Sequence, residues 1–217
     1  MRGVATIPDK LGHINDNHMV LVVKPILLRE STIYPRNTKG TMSTQLTAPK
    51  AYKRSTSLEN STWYKGILVT QLAGETDTGG AFDFVVSKMR KGTEPPPHVH
   101  ARDDEFFYIL SGSIRFYTEG QVFEVGAGES VFLPKGKPHA FLIQSDEVHN
   151  ITVITPGGFF NAVNKMNEPA QKMEIPSDDV LTYASMDLTK TMEIFEKYGV
   201  HILSPEEVAE QMPEYRA

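Results

Sequence analysis

Short apolar runs alternate with turn residues along the middle of the chain, between Trp63 and Thr155. Glycine and proline groups such as Gly79-Gly80, Gly126-Ala127-Gly128 and Lys135-Gly136-Lys137-Pro138 separate the runs. Short strands at this spacing are typical of an all-β sandwich or barrel. The pattern predicts strands over residues 66–72, 81–89, 97–101, 105–111, 113–118, 121–125, 130–133, 140–144 and 150–155.

One predicted strand, over residues 105–110, is apolar on both of its faces. Side chains alternate between the faces of a strand, so Glu105, Phe107 and Ile109 share one face and point inward. The outward face carries Phe106, Tyr108 and Leu110. Strands that are apolar on both faces are covered on both, here by the N-terminal extension, the C-terminal helices or a second subunit. The pattern favours a homodimer.

The N-terminal flank, residues 1–60, has poor apolar periodicity and prolines at positions 8, 25, 35 and 49, and we interpret it as an extension. Met42-Ser43-Thr44-Gln45 resembles an ordinary bacterial start, so one hypothesis is that residues 1–41 are not native. The alternative is that residues 20–28 add an edge strand to the body or to a partner subunit. A mass spectrum of the protein expressed from its native locus decides between the two.

The C-terminal flank, residues 163–217, is predicted to be a helical tail on a barrel of residues 61–162. Asp187 can cap a helix over 188–198 whose apolar positions recur at helical spacing, and Gly199 ends it. Ser204-Pro205-Glu206-Glu207 is a capping box with proline at the first helical position. We expect these helices to pack over a mouth or flank of the barrel, and we assign the apolar stripe Leu188, Met192, Phe195 and Tyr198 to the core, with no catalytic role.

The charge and composition exclude several classes of function. The net charge of −5 is uneven: residues 1–41 hold six Lys/Arg and three Asp/Glu, and the remaining residues hold sixteen and twenty-four. An acidic body argues against nucleic acid as a partner, and the absence of cysteine excludes disulfides and Fe–S clusters. The longest apolar run, Met19–Val23, is too short to cross a membrane. We expect a cytoplasmic protein.

Three histidines and one glutamate form the candidate chemistry. His98 and His100 are two residues apart, so on a strand they point the same way, about 6.6 Å apart along the chain. Glu105 begins the next strand, and His139 arrives from a distant one. Imidazole nitrogens and a carboxylate oxygen suit one divalent transition metal, Fe, Ni, Co, Mn, Cu or Zn. A lone histidine in a strand is more often a surface or core residue, so the prediction depends on all four together.

The spacing of these residues and their glycines reads G-x5-H-x-H-x4-E-x6-G from Gly92 to Gly112, then fifteen residues, then G-x5-P-x-G-x2-H from Gly128 to His139. It resembles the two-part signature of the cupin family, with Ile143 in place of the last asparagine. The resemblance implies an all-β fold, a single cupin double-stranded β-helix (jelly-roll barrel), with the N-terminal extension and short C-terminal helices. It also selects Glu105 as the ligand over Asp103 and Asp104, which we expect to be loop residues.

A closer resemblance covers about residues 60–200. Trp63 and the segments 77–80, 95–108, 132–141 and 155–159 are similar to the quercetin 2,3-dioxygenase-like monocupins of bacteria. This implies that His98, His100, Glu105 and His139 hold the metal with one or two positions open. It also implies that Glu105 takes a proton from a substrate hydroxyl, and that a flavonol reacts with O₂ and loses carbon monoxide.

The expected substrate pocket is apolar. Its predicted lining is Phe82, Phe84, Phe107, Phe116, Phe141 and Ile143, with Trp63 and Phe159 near a mouth. No group of inward polar residues is evident, which suits a flat aromatic better than a sugar. Two alternatives remain open, another metal-dependent cupin enzyme such as an isomerase or lyase, and a non-catalytic cupin that binds a small molecule or only a metal.

Overall fold

The computed structural model describes residues 48–177 and 181–216. The hypotheses on Met42 and on an edge strand over residues 20–28 lie outside the described residues. No helix within the described part of the chain is long and apolar enough to cross a membrane.

Two antiparallel sheets form the body. The seven-stranded sheet has the order β11-β1-β2-β3-β10-β5-β8, and the five-stranded sheet has the order β12-β4-β9-β6-β7. The strands are β1 Ser61–Tyr64, β2 Ile67–Ala73, β3 Asp83–Arg90, β4 His98–His100, β5 Asp104–Ser111, β6 Ser113–Thr118, β7 Gln121–Gly126, β8 Ser130–Leu133, β9 Pro138–Ile143, β10 Glu147–Thr155, β11 Glu168–Pro169 and β12 Val200–Ile202. The predicted all-β jelly-roll fold is confirmed, and each of the predicted strands has a counterpart among β2 to β10.

The core lies between the two sheets because alternate residues of each strand point into it. On β10, Val148 and Ile154 are buried on the inner face together with the polar Asn150 and Thr152. Gly112, between β5 and β6, has a φ of 82°, and a Cβ there would lie 2.4 Å from the carbonyl oxygen of Glu147. Only glycine fits this turn.

The predicted alternation on β5 is also confirmed. Glu105, Phe107 and Ile109 are buried. The outward side chains stay partly open, with Phe106 at 40%, Tyr108 at 38% and Leu110 at 40% exposure. Phe132 of β8 pairs with Phe106 and is 55% exposed. The described part of the C-terminal tail therefore does not cover this face.

The helices are α1 Glu75–Thr78, α2 Phe160–Val163, α3 Thr189–Lys197 and α4 Pro205–Gln211, with 3-10 turns at Leu58–Asn60 and Tyr183–Ser185. The two predicted tail helices are present, and the capping box is formed, with Ser204 Oγ accepting from the Glu207 N–H at 3.2 Å. The tail also contributes a strand that the apolar pattern does not indicate. β12 pairs antiparallel with β4, and Val200 lies opposite His100.

Candidate metal centre

The four predicted ligands come from both sheets. His98 and His100 lie on β4, and His139 lies on β9 directly across from His98. Glu105, the second residue of β5, reaches them from the seven-stranded sheet. The Gly136 N–H donates to the His100 carbonyl at 2.7 Å and ties the loop before β9 to β4. The double-sheet fold thus brings together residues that are 41 positions apart in the chain.

The side chains of His98, His100, Glu105 and His139, here called the ligand cluster, converge on one point. His139 Nε2 lies 3.1 Å from His98 Nε2 and 3.3 Å from Glu105 Oε2. His100 Nε2 lies 3.6 Å from Glu105 Oε1, and the ligand atoms all lie within 4.8 Å of one another. Two ligands held about 2.1 Å from one ion are about 3.0–3.4 Å apart. The cluster therefore has the spacing of a single-ion site.

The outer nitrogens of the three imidazoles have acceptors. His98 Nδ1 lies 2.8 Å from the Pro96 carbonyl, and His139 Nδ1 lies 3.2 Å from the Lys137 carbonyl. A carbonyl only accepts, so each Nδ1 carries a proton, and in the neutral ring Nε2 then presents its lone pair to the centre. Hydrogen bonds of this kind orient metal-binding histidines.

Asp103 supplies the acceptor for the third imidazole, a role that the spacing did not indicate. Its Oδ2 lies 3.4 Å from His100 Nδ1, and the side chain is buried. Asp104 instead accepts from the Lys135 N–H at 2.9 Å. Both aspartates therefore lie outside the ligand cluster, and only Asp103 contacts one of its members. A carboxylate three residues after a histidine in a tight turn is the signal that could have identified it.

The protonation states suit metal binding. Burial holds the pKa of His98 well below its ordinary value, and the other two imidazoles lower it further, so this ring is neutral. Burial opposes ionisation of Glu105, but His100 and His139 outweigh it and lower its pKa to about 2. Burial likewise lowers the pKa of His100, but Glu105 and Asp103 raise it above the ordinary value. An ion that binds here displaces the extra proton of the charged His100 ring, because only neutral imidazole is a ligand.

His100 Nε2 is buried and has no hydrogen-bond partner. Such an atom is costly in a protein interior unless a ligand completes it. Together with the donor set and its spacing, this fits one divalent transition metal ion.

A cavity of about 100 Å³ adjoins the ligand cluster. His98, His100 and Glu105 form part of its wall, and the apolar lining includes Phe107 and Phe141. Phe116 and Ile143 are fully buried behind the wall. Phe82 and Phe84 lie outside it, because the inward positions of β3 are 83, 85, 87 and 89. Two of the six predicted lining residues, Phe107 and Phe141, therefore line the cavity, and the other four do not.

The segment after β10 and the C-terminal tail complete the cavity wall. Phe159, Phe160, Val163, Tyr183 and Phe195 line it. The Phe159 ring lies 4.8 Å from that of His100 and 5.6 Å from that of Phe195. Phe195 therefore belongs both to the core, as predicted, and to the cavity wall. The other predicted mouth residue, Trp63, does not line the cavity, and its Nε1 donates to the Glu174 carbonyl at 2.9 Å.

The cavity wall also contains polar side chains, which corrects the expectation of a purely apolar pocket. Ser87, Asn150 and Thr152, here called the polar strip, line it together with Tyr64 and Tyr183. The two tyrosine hydroxyls are 2.7 Å apart and form a buried hydrogen bond.

Comparisons with known proteins agree with this geometry. Residues 85–155 match the Cupin domain family. Quercetin 2,3-dioxygenase of Bacillus subtilis (strain 168) is 26% identical over 107 residues, which are 49% of this chain and 32% of that protein. The chain thus matches only about a third of the length of this relative.

Two solved structures show weaker similarity. KdgF from Halomonas sp. is 22% identical with a TM-score of 0.39, over 43% of this chain and 82% of that one. A single-residue variant of the oxalate decarboxylase of Bacillus subtilis is 17% identical with a TM-score of 0.44, over 57% of this chain and 34% of that one. Residues 85–155, which contain the two-part spacing, match the cupin domain family, and 107 residues of the chain are similar in sequence to quercetin 2,3-dioxygenase.

Proposed function

We propose that the protein is a metal-dependent dioxygenase of quercetinase type that cleaves a flavonol, or a similar enol-bearing aromatic, with O₂. The observation that carries this proposal is the position of the ligand cluster. His98, His100 and Glu105 form part of the wall of a cavity lined by aromatic rings. A planar substrate in this cavity can reach an ion that the cluster holds. A structural metal site would be closed on all sides.

The ligand cluster would hold one divalent ion with one or two positions left open, and that ion would act as a Lewis acid on the substrate oxygen. Glu105 is the candidate catalytic residue. It is ionised and lines the cavity, so it can accept the proton of the substrate hydroxyl. The substrate enolate then takes up both atoms of O₂, and its ring opens with release of carbon monoxide.

The remaining wall residues position the substrate and exclude water. Phe107 and Phe141 lie 5.8 Å apart, and Phe159 packs against His100, so aromatic surface surrounds the approach to the cluster. An apolar wall strengthens the interaction between Glu105 and the substrate hydroxyl, because little solvent screens it.

A second candidate is another metal-dependent cupin enzyme, such as an isomerase or lyase. Two observations favour it. The polar strip could orient hydroxyl groups of a smaller substrate, and the cavity of about 100 Å³ is below the roughly 300–1,000 Å³ of most ligand pockets. A cupin that only binds a small molecule or a metal is the third outcome that experiment must separate.

We also propose a cytoplasmic homodimer with a small-molecule substrate and no nucleic-acid partner. The outward aromatic face of β5 and β8 supports the dimer, since Phe106 and Phe132 expose 40% and 55% of their surface. Exposed apolar patches of this kind mark interfaces. The acidic composition of residues 42–217 supports the absence of nucleic acid.

Oxygen uptake tests the proposal. Protein stripped of metal is reconstituted in turn with Fe, Ni, Co, Mn, Cu and Zn and given flavonols and single-ring enols. Metal-dependent uptake with loss of the flavonol chromophore is expected, and Glu105→Gln should abolish it. Glu193→Gln, the same change on an exposed face of α3, is the matched control. Stoichiometric metal binding without oxygen uptake would reject the dioxygenase and favour the isomerase, lyase or binding protein.

A further inference from the structure

We infer that the cavity has a second recognition point, the polar strip, and that it receives a hydroxyl group of a single-ring aromatic substrate whose enol oxygen faces the ligand cluster. This inference rests on the proposed function and narrows its substrate class. Asn150 is the residue that would determine specificity.

The polar strip lies on the inner face of the seven-stranded sheet. Asn150 of β10 is directly opposite Ser87 of β3, and Thr152 is two residues further along the same face of β10. All three side chains are buried, with Asn150 at 0% exposure, and all three line the cavity. Inward polar residues on two neighbouring strands therefore form one continuous patch in an otherwise largely apolar wall.

Asn150 has an unsatisfied hydrogen-bonding atom. Its Nδ2 donates to Thr152 Oγ1 at 2.9 Å, which fixes the amide, while Oδ1 is buried and has no partner. Leaving a buried polar atom unpaired costs about 1–3 kcal/mol. Within the described residues, the other such atom is His100 Nε2, for which a metal ion is a sufficient explanation. Asn150 lines the same cavity, and its Oδ1 is available to accept a hydrogen bond from a donor there.

The size of the cavity favours a ligand with one enclosed ring. An engineered protein cavity of roughly 150 Å³ holds one benzene molecule, so about 100 Å³ beside the ligand cluster encloses at most one ring. The register sets the separation of the two ends along the backbone. Glu105 lies opposite Ile154, and Asn150 is four residues along β10 from that position, about 13 Å at the rise of a strand. One ring with a short arm at one end and a hydroxyl at the other, with a hydrogen bond at each end, has about this length.

The chemistry of the two ends is complementary. The enol oxygen approaches the ligand cluster, where Glu105 accepts its proton, and the remote hydroxyl donates to Asn150 Oδ1. Ser87, which lies opposite Asn150 on the neighbouring strand and lines the cavity, offers a second hydroxyl for a hydrogen bond to the same group. A site of this kind rejects an analogue without the hydroxyl, because its own polar atoms are then left unpaired.

Anaerobic calorimetric titration of the Zn-loaded full chain tests the inference. The probes are phenylpyruvate, which has an enol tautomer, and 4-hydroxyphenylpyruvate, which differs by one remote hydroxyl. We expect the hydroxylated acid to bind about tenfold more tightly, the effect of one hydrogen bond in a buried site. Asn150→Leu should reduce this preference to within about twofold, and Asn164→Leu, the same change at an exposed position, should retain it. Equal binding of the two acids, no binding of either, or a tenfold preference that persists in Asn150→Leu would overturn the inference.

A stability measurement separates recognition from a structural role. Replacing an unsatisfied buried amide by leucine should leave the urea unfolding midpoint unchanged or higher. A lower midpoint with the tenfold preference retained would assign Asn150 a purely structural role and reject the inference. Thr152→Val is the second variant, in case Asn150→Leu fails to fold. It frees the amide and should cut the preference to about threefold, while an undiminished preference would again contradict the inference.

The titration scores binding alone and is independent of oxygen chemistry. No oxygen uptake together with a clear hydroxyl preference would reject the proposed dioxygenase activity and support the second recognition point. Oxygen uptake without a hydroxyl preference would support the dioxygenase activity and reject the second recognition point.

Discussion

The two ends of the cavity use buried polar atoms in different ways. At the ligand cluster the Nδ1 atoms of three imidazoles have acceptors, and the inner atoms converge within 4.8 Å. At the polar strip the amide of Asn150 has one partner, Thr152, and one free atom. Each end has one unsatisfied atom, and we propose that an ion completes the first and a hydrogen-bond donor the second. Unpaired buried atoms in a shared cavity therefore indicate where a ligand binds and what chemistry it presents.

Removing the metal is expected to have the largest effect. Because an ion binds the folded chain and not the unfolded one, saturation at a thousand times the dissociation constant adds about 4 kcal/mol of stability. Thermal unfolding with and without each divalent metal should show this gain. It should disappear in His139→Ala and persist in Asn150→Leu. A gain of equal size in His139→Ala would place the ion elsewhere.

Enlarging the cavity is the next largest change. Phe195 is 4% exposed and lines the cavity. Phe195→Ala should lower the free energy of unfolding by about 3–5 kcal/mol and open room for a larger ligand. We expect 3-hydroxyflavone to bind the variant more tightly than the native chain in anaerobic titration. The opposite order would show that the ring of Phe195 contacts the ligand and does not limit its size.

The contact between Asp103 and His100 is expected to contribute to metal affinity. Its carboxylate contacts His100 Nδ1 at 3.4 Å, so Asp103→Asn should weaken metal binding by about 10–100-fold. Asp104→Asn is the matched control, since Asp104 contacts the Lys135 N–H. Competition with a chromophoric chelator measures both. Equal affinities for Asp103→Asn and the native chain would limit the role of Asp103 to the turn.

The outer face of the sheet offers a smaller effect. Phe132→Ser should shift a dimer towards monomer, because it removes apolar surface from the proposed interface, while Leu58→Ser, at an exposed position elsewhere, should not. Light scattering across a range of protein concentrations gives the mass. A monomer at all concentrations for the native chain would reject the dimer.

The smallest effect concerns the tail strand beside the metal-bearing strand. His201 of β12 contacts Glu196 at 2.7 Å and Glu207 at 3.2 Å, and both raise its pKa above 6.5. A raised pKa stabilises the fold below pH 6.5, and this contribution is lost as the pH rises through the folded-state value. The site is exposed, so His201→Gln should change stability at pH 6 by less than about 1 kcal/mol. If His201→Gln lost more stability at pH 9 than at pH 6, the expected direction of the pH dependence would be wrong.

The metal end could be predicted from the sequence because its determinants are local. Two-residue alternation places His98 and His100 on one face, and the glycines fix the turns. The polar strip could not be predicted, because both faces of β3 mix apolar and polar residues: Phe84 and Val86 point outward, and Asp83 and Ser87 point inward.

Tertiary contacts decide which residues of β3 point inward. The Asp83 carboxylate accepts from the N–H groups of Gly158 and Phe160 at 2.9 and 3.1 Å, which repays its burial. Phe84 is thereby turned outward. The pairing of β12 with β4 is likewise a tertiary contact that three residues of sequence do not indicate.

Visible absorption of the Co(II)-loaded chain, titrated without oxygen with 4-hydroxyphenylpyruvate, tests most directly whether metal and substrate share this cavity. We predict one equivalent of Co(II) with a d–d spectrum that shifts on ligand addition and saturates at one equivalent, and no such spectrum in His139→Ala. An unchanged spectrum at saturating ligand would show that the ligand does not approach the ion, and would contradict the account.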